Sequence, residues 1–398
     1  MRAPAPRRRV PIAGRSKARS AGALLVIVVG LAAVPGCASA PADRTPSFRT
    51  AVQEPATGDA GVPAAASGPR IAFPWRPGRP ELGVQVYWDD NPDESAQMIA
   101  LKAQRVTDYV VDLDANAISV SFPFFTDTVR SSTVHGARGT PAPERLGILL
   151  DEAARAGLRI TLRPTLDEKS LVAANPRDWR GTLNPVSRDA WFASYRGFLA
   201  PYLALAEQHH INTVVLGTEL NSLEGDPRWE KLAAYTRTVF TGEIGYAFNW
   251  DIFTHTRARM PVDRVGVDAY PELPLGDTAS VAELTAAWDR WLDQRAPGPM
   301  PQVMLYEVGA AAQAGIYRHP ANPQIDGTPA VPELQQRWFI AACRVARARA
   351  LAGLYWWRVD FHIDPAAVDS SRDRHESFIG RPAEQAIRDC FSAWGEGR

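Results

Sequence analysis

Residues 213–222 read TVVLGTELNS. Thr213, Val214, Val215 and Leu216 are apolar or β-branched on both faces, as in a strand buried within a parallel sheet, and Glu219 follows at its carboxyl end. Residues 302–309, QVMLYEVG, repeat the arrangement: an apolar run that delivers a second glutamate, Glu307. Working outward, runs of the same kind occupy 82–88, 117–122, 159–163, 245–249, 264–268 and 353–357, which makes eight predicted strands with 213–217 and 302–306. Helix-like segments separate them, among them 143–156, closed by Gly157, and 190–208 with its apolar face. Eight strand-then-helix units predict an α/β fold of the (β/α)₈ TIM-barrel type. An open doubly wound sheet is the competing architecture, but the first strand is not followed by a Gly-rich phosphate loop.

In such a barrel the strand carboxyl ends converge on one mouth. Those ends carry, in order, Tyr87 and Trp88, Phe124 and Phe125, Arg163 with Asp167, Glu219, Asn249 with Trp250, Asp268 with Tyr270, Glu307, and Trp356 with Trp357. Two carboxyl groups facing each other across a cleft are what glycoside hydrolysis requires: one protonates the departing oxygen, the other attacks the anomeric carbon or activates water. The composition agrees without deciding the matter. Twelve Trp and ten Tyr supply flat faces suited to sugar rings, although Trp is also a core residue. Lys plus Arg and Asp plus Glu are both 44, so the net charge is zero and no nucleic-acid partner is expected. None of the seven histidines pairs with helical metal-ligand spacing, and no Gly-x-Ser-x-Gly elbow occurs, so neither a metal nor another cofactor is expected.

The amino terminus reads as an export signal. Arg7, Arg8, Arg9, Arg15, Lys17 and Arg19 precede an apolar run over 21–34, and Val34-Pro35-Gly36-Cys37 follows. That tetrapeptide resembles a bacterial lipoprotein box, with lipidation expected at Cys37; Pro35 departs from the usual pattern, and ordinary cleavage near residues 38–40 or an uncleaved signal anchor are the alternatives. The expected organisation is a lipoprotein-type signal over 1–37, an Ala/Pro/Gly-rich linker over 38–80 and a catalytic domain over 81–398, exported and anchored to the cell membrane as a monomer. Cys343 and Cys390 fall in helix-like stretches, where they are either disulfide-bonded or two buried thiols.

The motifs DWRGTLNP (178–185), WFASYRGFLAPYLALAE (191–207), LGTELNSL (216–223), GYAFNWD (245–251), VGVDAYPEL (265–273), YEVG (306–309) and GLYWW (353–357) together resemble glycoside hydrolase family 113, retaining endo-β-1,4-mannanases of clan A. The resemblance implies Glu219 as general acid/base, Glu307 as nucleophile, Tyr270 as a hydrogen-bond donor to the nucleophile, and Trp356 or Trp357 as the floor under the reacting sugar. Trp179 and Arg180 in the loop after the third strand, with Asn249 and Trp250, are further expected substrate contacts; Arg163 and Trp88, at strand ends, complete the set. The implied partner is a β-linked oligo- or polysaccharide. Thr218 stands where much of the clan has Asn, a change the family tolerates, and Thr165 stands near where a mannanase-like pattern has His, which bears on sugar choice. The different-class alternative is a barrel that binds cell-surface glycan without cutting it.

Overall fold

The structure, a computed structural model, describes residues 71–370 and 377–395. Cys37, the signal segment and linker residues 38–70 lie outside the described residues. Eight parallel strands close into a barrel in sequence order: β1 (Glu81–Tyr87), β2 (Ala117–Phe124), β3 (Arg159–Leu166), β4 (Thr213–Thr218), β5 (Glu243–Asn249), β6 (Arg264–Asp268), β7 (Val303–Val308) and β8 (Gly353–Asp360), with β8 pairing back to β1. Every residue of β2, β3 and β4 is buried, the burial that their two-sided apolar or β-branched runs imply.

The helical layer comprises α1 (Ala96–Asp112), α2 (Pro143–Arg155), α3 (Lys169–Ala174), α4 (Arg188–Gln208), α5 (Arg228–Val239), α6 (Trp250–Phe253), α7 (Val281–Asp293), α8 (Pro332–Ala348) and α9 (Pro382–Gly395). Local chemistry sets the ends. Ser280 caps α7 in a reciprocal capping box with Glu283, Pro143 opens α2, and Gly157 takes φ +83° just beyond it. One unit differs from the simple alternation: between β5 and β6 the chain makes only the single turn α6, because 254–263 offers no amphipathic repeat.

The barrel interior is filled by two tyrosines. Tyr306 and Tyr355 lie nearly parallel, 6.4 Å apart. Glycines on neighbouring strands make their room: a Cβ on Gly266 would lie 2.2 Å from the Tyr306 ring, and one on Gly83 would lie 2.5 Å from that of Tyr355. Below them a buried ion cluster closes the amino-terminal end. Arg159 Nε meets Glu81 at 2.7 Å and its Nη2 bonds Glu243, which also takes Arg264 Nε at 3.1 Å. Tyr355 donates its hydroxyl to Glu81 at 2.8 Å, tying the cluster to the core above.

Residues 71–80, expected as the end of the linker, pack on the domain instead. Ile71 touches the hydrophobic core, Trp75 lies 4.1 Å from the Arg159 guanidinium, and Phe73 crowds Gly395 of α9. The alternation of Ile71, Phe73 and Trp75 gives this stretch an apolar face that the preceding residues lack. Cys343 and Cys390 form a disulfide between α8 and α9, with Cα atoms 6.0 Å apart. Crosslinking positions 47 apart is worth about 4 kcal/mol in the chain-entropy account.

Candidate active site

A cleft of about 400 Å³ opens at the carboxyl ends of the strands, and both glutamates line it. Glu219 is the first residue after β4. Its backbone takes φ +53°, a left-handed conformation costly for a residue with a Cβ, and its N–H is pinned to the Ala247 carbonyl of β5 at 2.9 Å. Glu307 comes from β7, where its register partner on β6 is Asp268. The two glutamate side chains are 15% and 9% exposed, enough to meet a ligand and little enough to be shielded from bulk water.

Glu307 is oriented through both oxygens. Arg163 Nη1 donates to Oε1 at 2.5 Å, and the Tyr270 hydroxyl donates to Oε2 at 2.7 Å. Arg163, on β3 and fully buried, also donates through Nη2 to Asp268 and through Nε to Thr218 Oγ1 at 3.2 Å. Its planar fork thus spans β4, β6 and β7 beneath the cleft, a geometry a lysine ammonium would not reproduce. Arg163 is therefore a buried organiser of the carboxylates rather than a direct sugar contact. Thr218, in the place of the clan's Asn, accepts from this same guanidinium. Burial pushes the Asp268 carboxyl well above the ordinary range, against the pull of Arg163.

Glu219 stands in a different field. Burial drives its carboxyl up to about 7, with Arg180 pulling it down and Glu307 pushing it up again. Arg180 Nε approaches Glu219 Oε2 at 3.7 Å, outside hydrogen-bond range, and instead donates to Glu168 at 2.7 Å. One carboxyl that holds a proton near neutrality faces the same cleft as a second carboxyl held by two donors. Such a pair can donate a proton on one side of a bond and attack, or activate water, on the other.

Trp179, Arg180, Asn249, Trp250, Tyr270 and Trp357 all line the cleft with the two glutamates. Gly181 makes room for the Trp179 indole, which a Cβ there would meet at 2.3 Å. Asn249 also caps α6, its side-chain oxygen accepting from the Asp251 N–H at 3.4 Å. Two expected contacts are corrected. Trp356 is fully buried and stacks on Phe339 of α8 at 4.5 Å, because successive strand residues face opposite sides and only Trp357 turns to the mouth. Trp88 is likewise fully buried, stacked on Phe361 at 4.0 Å.

The cleft also contains residues that were not expected there. Glu168, Arg358, Ala321 and Pro323 line it, and the Arg358 guanidinium lies 5.2 Å from the Trp357 ring and 5.3 Å from that of Tyr87. Arg358 directly follows the aromatic pair of β8, and Glu168 ends the RPTLDE run, so both were within reach of a strand-end argument. A larger basin, about 710 Å³, opens at the opposite end of the barrel beside Trp75, Arg159 and Arg237. Its two pairs of opposite charge neutralise each other, Arg159 with Glu243 and Arg237 with Asp263, and Glu207 accepts from Thr241. The carboxyl-end cleft is the site where chemistry is assembled.

The sequence model of Glycoside Hydrolase Family 113 matches residues 94–378, more than two thirds of the chain. The chain belongs to glycoside hydrolase family 113. It is accordingly a glycoside hydrolase, and the matched span runs from α1 through β8 and encloses both glutamates. A search of curated protein sequences found no match. Among solved structures, a GH113 β-1,4-mannanase superposes with a TM-score of 0.66 at 18% identity, covering 79% of this chain and 99% of its own. The GH113 β-mannanase AaManA from Alicyclobacillus acidocaldarius, in complex with ManMIm, gives 0.63 at 18% identity, with 79% and 98% covered. A GH5_18 protein from Streptomyces cattleya, in complex with Manb1-4GlcNAc, gives 0.50 at 14% identity, with 79% and 81% covered. These likenesses show a shared barrel fold.

Proposed function

We propose that this family 113 member cleaves β-1,4-mannan-type chains with retention of anomeric configuration. The observation that carries this reading is the unequal pair in one cleft: Glu219, raised to about 7 by burial, and Glu307, tied through both oxygens to Arg163 and Tyr270. In the first step Glu219 protonates the glycosidic oxygen while Glu307 attacks the anomeric carbon. The old C–O bond breaks through an oxocarbenium-like state and a glycosyl ester forms on Glu307. In the second step the Glu219 carboxylate takes a proton from water, the water oxygen bonds the anomeric carbon, and Glu307 leaves. Inversion instead requires room for a water held by the second carboxylate. Glu307, with both oxygens taken by donors and 9% side-chain exposure, suits direct attack better.

Trp357 is the proposed platform for the reacting sugar, with Trp179 and Trp250 serving flanking units. The mannan assignment draws support from the family and from the mannanase names of its structural neighbours. Oligosaccharides of β-mannan, β-glucan and xylan, incubated with the enzyme and followed by proton NMR, test both parts together. The mannan series is expected to be cleaved fastest, with the β-anomer appearing first. Faster cleavage of glucan or xylan overturns the sugar assignment, the α-anomer appearing first overturns retention, and binding without any cleavage favours a glycan-binding barrel.

We also propose export and lipid attachment at Cys37, from the basic, apolar and small-residue order of the amino terminus. The Cys343–Cys390 disulfide suits an oxidising compartment. Expressed in a bacterium, the wild-type chain is expected in the membrane fraction and Cys37→Ala in the soluble extracytoplasmic fraction. Identical distribution of the two rules out the anchor.

A further inference from the structure

We propose that Glu168 is a positioning residue that acts through Arg180: it holds the guanidinium just short of Glu219, so that the acid keeps its proton for bond cleavage and gains a nearby cation once the proton has left. This rests on the reading of Glu219 as acid/base. Glu168 sits at the turn into α3, and Arg180 opens a 3₁₀ turn twelve residues on, so the pair spans the connection between β3 and α4. One oxygen of Glu168 accepts twice from Arg180, from the backbone N–H at 3.2 Å and from Nε at 2.7 Å. The same Nε lies 3.7 Å from Glu219 Oε2. A single guanidinium edge is therefore placed between two carboxyl groups, bonded to the one that does no chemistry and one ångström farther from the one that does, just outside bonding range.

The geometry has a purpose in a two-step reaction. Glu219 must be an acid in the first step and a base in the second, so its proton has to be neither lost early nor held late. A cation bonded directly to Glu219 would favour the carboxylate from the start; no cation would leave a buried carboxylate beside Glu307 uncompensated. Other charged or titratable groups bear on Glu219 from every side: Arg163 from β3, Tyr246 from β5, Asp268 from β6 and Glu307 from β7. Arg180 and Glu168 instead come from the connecting segment between β3 and α4, as Tyr270 of the same cleft comes from the connection after β6. Of these only the Arg180–Glu168 pair is among the main charges acting on Glu219, which makes it the adjustable part of the field.

The test is the variant Glu168→Gln, which keeps an acceptor oxygen for Arg180 but removes the charge that retains it. Carbon-13 NMR of the labelled glutamate carboxyls, with Glu219→Gln assigning the resonance, reads the Glu219 titration without any substrate. The midpoint is expected to fall by about one pH unit. The alkaline limb of kcat/KM should move down with it, and activity on oligosaccharides should fall more than on aryl glycosides whose leaving group needs no proton. In an Arg180→Met background the same substitution should lose most of its effect, since the action runs through Arg180. An unchanged midpoint in Glu168→Gln, or a full shift persisting in the Arg180→Met background, overturns the proposal. Absence of turnover on every glycan would count against the catalytic reading alone, because the titration stands apart from it.

Discussion

Glu307→Ala is expected to lower turnover by about four orders of magnitude or more while the barrel stays folded. The substitution removes the atom that would bond the anomeric carbon, and no other carboxyl group is placed to replace it: Glu219 would serve the opposite side of the bond, Glu168 is held by Arg180, and Asp268 is fully buried against Arg163. The fold survives because Arg163 keeps Asp268, whose carboxylate form is favoured once Glu307 no longer repels it, and Thr218 as an acceptor, so no buried cation is left alone. Small anions provide a second readout. Azide or formate is expected to enter the space left by the carboxylate and restore part of the activity on a glycosyl fluoride, giving an adduct of inverted configuration. Circular dichroism and initial rates on the same preparation separate loss of chemistry from loss of structure. Wild-type-like turnover in this variant would remove Glu307 from the mechanism.

Glu219→Gln is expected to lower turnover of oligosaccharides by about 10²–10⁴-fold, with a smaller first-step loss on activated aryl glycosides. Because burial raises the Glu219 carboxyl to about 7, wild-type kcat/KM should decline tenfold per unit above roughly that pH, and the variant should lack this limb. The same shift has a consequence for stability. In the unfolded chain the group titrates near its ordinary value of 4.5, so between that pH and about 7 the native state holds the extra proton. Stability conferred by a neutral Glu219 is therefore full below pH 4.5 and is lost as pH rises through 7. Glutamine abolishes the loss, a gain of up to about 3 kcal/mol at pH 8 and none at pH 4. Thermal unfolding of both proteins at the two pH values should show several degrees' advantage for the variant at pH 8 alone. Glu224, which burial raises to about 8, shifts both proteins alike and cancels from the difference.

The barrel was legible because its strands are buried on both faces, so each is written as an unbroken apolar or β-branched run that ends where the chemistry begins. The two glutamates were legible for the same reason: a charge immediately after such a run has to emerge at the mouth. What sequence position does not carry is which way a side chain turns. Trp356 and Trp357 are neighbours in one motif, yet the first packs into the helical layer and the second lines the cleft. Arg163 stands at a strand end like the glutamates, but its length carries it across the floor to bind carboxylates from two other strands. Its role depends on register between β6 and β7, which no single run records. Glu168 was hidden differently, as one acid among several in a loop, identifiable only once Arg180, twelve residues on, is seen to fold back against it. Trp75, within the packed segment 71–80, was masked by the Pro-rich stretch around it.

The covalent role of Glu307 is the claim on which the mechanism turns, and trapping tests it directly. A 2-deoxy-2-fluoro manno-configured glycosyl fluoride should react once and stall, since the 2-fluorine slows both steps while the good leaving group keeps only formation of the glycosyl ester fast. Digestion and mass spectrometry are expected to find one sugar per chain, on the peptide containing Glu307. A label on any other residue, or release of the inverted sugar from a substrate the wild-type enzyme cleaves, would contradict the account.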